Sequence, residues 1–107
     1  MRKNVGMSNE RVVPDQHEAL ELVSLFCGTD ARWVGERVIR ASMMNPFTRQ
    51  PIDVRAQYDG SAEDEGWVVQ FFEDYDAADR NRLGGQRAPE LAEAIIGAWA
   101  ALRDFSR

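Results

Sequence analysis

The sequence predicts an α+β domain in which one small antiparallel sheet of two to three strands packs against two or three helices. Three observations carry that expectation. Asp15–Gly28 and Pro89–Phe105 repeat apolar residues at the helical period, Ile52–Tyr58 and Trp67–Glu73 alternate at the strand period, and Gly or Pro punctuates the intervals. At 107 residues the chain suits one domain, and its 44 % of apolar residues are enough for a core. We assign that domain to residues 14–107. Residues 1–13 are polar and without a period, and are expected to be loosely ordered.

In the first helix, Asp15 is expected to cap the opening turn and Glu18, three residues on, to reach back in a capping box. Ala19, Leu22, Val23 and Phe26 then share one face, widened by Leu20, Leu25 and Cys27. Gly28 suits the left-handed stop. Thr29–Met44 reads as a second helix, with Trp33, Val34, Val38, Ala41 and Met44 inward and Glu36 pairing with Arg40. Its rival is a strand, because Trp33, Val34, Val38 and Ile39 favour β-structure and Gly35 weakens a helix by about 1 kcal/mol. Asn45-Pro46 ends whatever precedes it, since the ring disfavours helical geometry in the residue before it.

After a loop over Pro46–Pro51, the two alternating stretches are expected to pair antiparallel through an acidic connection. Trp67, Val69 and Phe71 fall on one face of the second strand, and Val68, Gln70 and Phe72 on the other. A third, edge strand is assignable either to residues 37–43 or to the surroundings of Leu83. Asp74–Ala88 otherwise reads as loop, with Gly84-Gly85 its most pliant point. Pro89 suits the first position of the closing helix, with Glu90 and Glu93 near its positive end. Leu91, Ile95, Ala98, Trp99 and Leu102 form its buried stripe, extended by Ala92, Ile96 and Phe105.

Gly66-Trp67-Val68-Val69-Gln70-Phe71, followed by a loop and the proline-opened, alanine-rich run Ala88–Leu102, resembles small tailed-phage proteins described as an ABA-sandwich domain. The likeness covers roughly residues 66–105, with Asp15–Gly28 a counterpart of the first helix. Arg87-Ala88 departs from it by standing where a polar cap precedes the proline, and residues 29–50 are an added segment. The resemblance implies a fold and a phage or prophage setting. It implies no chemistry and no functional residues.

The formal charge of −5, from 18 acids and 13 bases, weighs against direct nucleic-acid binding. No apolar run approaches the roughly 18–20 residues that a membrane-spanning helix needs, and the start lacks the hydrophobic segment of a secretory signal. One cysteine, Cys27, excludes an internal disulfide, so a reducing cytoplasm is the expected compartment. The lone His17 and Cys27 stand about 15 Å apart along the proposed helix, too far to act as base and nucleophile. No catalytic residue, metal set or cofactor motif is assigned.

The feature above background is the acid distribution. Asp59, Glu63, Asp64, Glu65, Glu73, Asp74, Asp76 and Asp79 fall in one stretch without Lys or Arg. Three readings compete. The acids solubilise loops beside two hydrophobic strands, or meet a basic partner by imitating phosphate charge. Alternatively Asp74, Asp76 and Asp79 hold a cation, although that spacing lacks the glycine and distal glutamate of a calcium loop. Trp67, Phe72, Met43, Met44 and Phe47 are candidates for an apolar interface, including one between two copies of the chain. The expected function is a non-enzymatic phage-type binding protein, such as a host-takeover or anti-defence inhibitor that covers a basic host surface. The alternatives are a structural or assembly protein that homodimerises, and a divalent-cation-dependent enzyme or cation-binding domain.

Overall fold

The computed structural model describes residues 13–60, 65–73 and 82–105. Within them the elements run α1 (Gln16–Cys27), β1 (Arg32–Trp33), β2 (Val38–Met44), β3 (Pro51–Asp59), β4 (Gly66–Phe72), β5 (Arg82–Ala88) and α2 (Leu91–Phe105). The strands form one antiparallel meander in chain order, β1 to β5. The α+β class therefore holds. The expected two to three strands do not, because the sheet has five, and two helices pack on it.

Both additional regions of sheet correct an expectation. Residues 29–44 are a hairpin and not a helix: Trp33 pairs with Ile39, the Val34 amide donates to the Val38 carbonyl, and Gly35 turns the chain at a φ of 80°. Gly35, which costs a helix stability, is here the residue that permits the left-handed turn position. Burial accordingly follows a period of two, with Ile39 and Met43 buried and Ala41 packed on the core, while Val34 and Met44 face solvent. The second correction is β5. The sequence offers residues 37–43 and the surroundings of Leu83 as alternative places for one edge strand, with Asp74–Ala88 otherwise expected as loop. Both places are strands. A Cβ on Gly84 would lie 3.1 Å from the Leu102 amide nitrogen and 3.2 Å from the Ala101 carbonyl carbon. Gly84 is thus the point where the α2 backbone settles on the sheet, a close approach that any side chain would hold open.

The helices cover one face. Ile39, Val54, Ala56, Val69 and Phe71 from the sheet join Ala19, Val23 and Cys27 of α1 and Leu91, Ala94, Ile95, Ala98 and Leu102 of α2 in one core. Phe26 locks this layer, lying 6.2 Å from the Phe71 ring and edge-on to Trp99 at 5.5 Å. The outer residues of the expected helical faces are not buried: Leu25 is 75 % exposed, and Ile96, Phe105 and Ala92 are exposed as well.

The helix ends are part prediction and part correction. Gly28 closes α1 at a φ of 71° and its amide reaches the Ser24 carbonyl at 2.9 Å. Asp15, expected as a side-chain cap, instead adopts a left-handed backbone and makes no side-chain capping hydrogen bond. At α2 the Glu90 carbonyl accepts the first helical bond from Ala94, so the helix opens one step after Pro89-Glu90. Strand β2 stops at Asn45-Pro46 as expected. The buried Asn45 side chain accepts from the Phe47 amide, and its main chain exchanges hydrogen bonds with Gln50 and Arg49. No described helix is long and apolar enough to cross a membrane.

Candidate functional site

Strand β4 divides the acidic stretch between two ends of the sheet. Glu65 precedes it and Glu73 follows it, which separates them by roughly 25 Å at about 3.3 Å per residue. Asp59 ends β3, on the Glu65 side, and is held by Arg87 of β5 with Nη2 to Oδ2 at 2.9 Å. Glu65 accepts a hydrogen bond from the Tyr58 hydroxyl. Glu73 stands exposed at the other end, beside a cavity of about 280 Å³ lined by Asn45, Ile52, Leu83 and Phe105. Glu63, Asp64, Asp74, Asp76 and Asp79 lie outside the described residues, and so does the cation reading of the last three. Among the described residues, no group of three or more His, Cys, Asp or Glu side chains is placed to hold a metal ion.

The expected apolar interface is also dispersed. Trp67 and Phe72 do face opposite sides of β4, yet each is only 4 % exposed, and Met43 is buried too. Met44 at 56 % and Phe47 at 40 % remain exposed, with the Phe47 ring 5.2 Å from Trp99.

The arrangement that emerges is a cleft of about 420 Å³ at the Asp59–Glu65 end of the sheet. Its walls are the two helix starts, Pro14, Asp15 and Glu18 at the opening of α1 and Pro89 and Glu90 just before α2, and Trp67 lines it with them. Trp67 is fixed by pairing with Tyr58 on one side and Ala88 on the other, and its ring lies 5.4 Å from that of Tyr58. α2 begins here because β5 delivers the chain to the end of the sheet at which β3 turns into β4, and α1 begins at the same end. Their positive ends favour the acids of the first turns. Asp15, whose side chain makes no capping hydrogen bond, is one of the residues lining this cleft. Three acidic residues share this lining with a largely buried indole, and their summed charge suits a cationic group. The sequence reading assigned Asp15, Glu18 and Glu90 to local helix electrostatics, and nothing local signals that the two helix starts meet.

His17 is exposed in the first turn of α1, and Cys27 is buried in the last. Burial pushes the Cys27 thiol up to about 11. At pH 8 iodoacetamide is therefore expected to alkylate the folded protein far more slowly than the urea-unfolded chain, and equal rates would place this thiol in solvent. The unfolded thiol loses its proton near pH 8.5 and the folded one near 11, so the thiol's contribution to stability is complete below pH 8.5 and is lost as pH rises towards 11.

No protein-family model matches the chain, and neither the curated proteins nor the solved structures contain a significant match.

Proposed function

We propose that this is a non-enzymatic binding protein that captures a basic segment of a partner protein at its acidic end. The observation that carries the reading is the Trp67 cleft with Asp15, Glu18 and Glu90 on its walls and Asp59 and Glu65 at the same end of the sheet. A lysine or arginine entering such a cleft meets several acidic residues at once, and their contributions reinforce one another. The resemblance to tailed-phage domains supports a phage or prophage setting, with a host protein as the partner. Met44 and Phe47, both exposed, support a second reading in which the chain self-associates as an assembly protein.

The test is titration calorimetry with a lysine- and arginine-rich decapeptide. Reversing Asp15, Glu18 and Glu90 to lysine is expected to weaken binding by at least tenfold, about 1.4 kcal/mol. Reversing Glu21, Glu36 and Asp104, exposed acids away from the cleft, changes net charge equally and is expected to cost under threefold. Equal losses in the two variants would reduce the effect to bulk charge and overturn the assignment.

A further inference from the structure

The face of the sheet opposite the helices carries a row of side chains in direct cross-strand register. Arg32 pairs with Arg40, Arg40 with Arg55, Arg55 with Gln70, and Gln70 with Gly85. Each of the first four alternates with a residue packed on the core, so all four project from the face opposite the helices. Three arginines in line across about 10 Å of sheet concentrate positive charge on this face. We propose that this row binds the phosphate group of a small soluble phosphomonoester, centred on Arg55.

Arg55 supplies the independent observation. Its Nε is buried and has no hydrogen-bond partner, while its Nη2 donates to Gln57 Oε1 at 2.7 Å. These two nitrogens form the fork that grips two oxygens of an oxyanion. A carboxamide has a single oxygen, so Gln57 satisfies one prong and leaves the other empty. A phosphate that displaces Gln57 fills both. Gly85 ends the row without a side chain of its own, and Gln70 lies close over it, its Cγ 3.1 Å from where a Cβ would stand. At the opposite end, Arg32, Arg40 and Ser42 line a depression of about 140 Å³, far below the usual volume of a pocket for a drug-sized ligand. Asp30 and Asp53 stand in the same wall. They favour a compact anion held near Arg55 over a polyanion running past them, as does the net charge of −5.

The test is thermal unfolding of the full chain in inorganic phosphate against chloride at equal ionic strength. The melting temperature is expected to climb with phosphate through the millimolar range, beyond any change in chloride. Arg55→Gln should abolish the phosphate-specific rise, and Gln57→Ala, which removes the competing oxygen, should strengthen it. Arg32→Gln alters an exposed side chain on the edge and should weaken the response severalfold even if Arg55→Gln does not fold. No phosphate-specific rise in the unaltered protein overturns the proposal. So does a folded Arg55→Gln protein with an undiminished response, or tighter binding of an octathymidylate than of phosphate at equal phosphate concentration.

Discussion

Truncating Phe71 to alanine is expected to lower the unfolding free energy by about 3–5 kcal/mol, a large part of the roughly 5–15 kcal/mol that holds a small domain folded. Phe71 is fully buried at the centre of β4, opposite Val54 on one neighbouring strand and Gly84 on the other. Its ring touches Phe26, which in turn meets Trp99 edge-on, so one side chain ties the sheet to both helices. Alanine would leave a void bounded by β4 and both helices, which cannot collapse without moving a whole element. Urea unfolding followed by circular dichroism measures the loss. A change below about 1.5 kcal/mol would show that the two layers close around the gap, contrary to the packing described above.

The second large effect is expected at Gly66. A Cβ there would lie 2.7 Å from the Ala88 carbonyl oxygen and 3.3 Å from its carbon, both backbone atoms of the adjoining strand. Because Trp67 pairs with Ala88, relief requires parting β4 from β5 where α2 departs. Gly66→Ala should therefore cost about 2–3 kcal/mol, at the upper end of the range for overpacking. Gly97→Ala is the internal comparison. Its Cβ would also be too close, at 2.3 Å, but to Cγ of the exposed Gln86 side chain, which can rotate. Alanine also gains about 1 kcal/mol of helix propensity there. A loss at Gly97 equal to that at Gly66 would contradict this distinction between backbone and side-chain obstruction.

The limits of the sequence reading follow from the range of the forces involved. Ala19 and Val23, or Leu91, Ile95, Ala98 and Leu102, reveal a helix because each depends on neighbours one or two turns away. Residues 29–44 misled because Trp33, Val34, Val38 and Ala41 can be placed on a helical face, whereas pairing with β3 selects Ile39, Ala41 and Met43. Gly84-Gly85 resembled a loop because glycine carries no sign of what lies above it. The candidate site was legible only in part. The excess of acids near β4 was visible, but Asp15, Glu18 and Glu90 become companions of Trp67 only after two helix starts are brought to one end of the sheet.

The sequence by itself determined the α+β class, both helices, the left-handed stop at Gly28 and the paired strands that became β3 and β4. Periodicity and local backbone preference suffice for these. Only the tertiary structure decided that β1, β2 and β5 complete a five-stranded sheet, that Asp15 lines a cleft and makes no side-chain cap, and that three arginines align on the face opposite the helices. Each of those depends on cross-strand register or on the close approach of a distant backbone, and such contacts leave no local period in the chain.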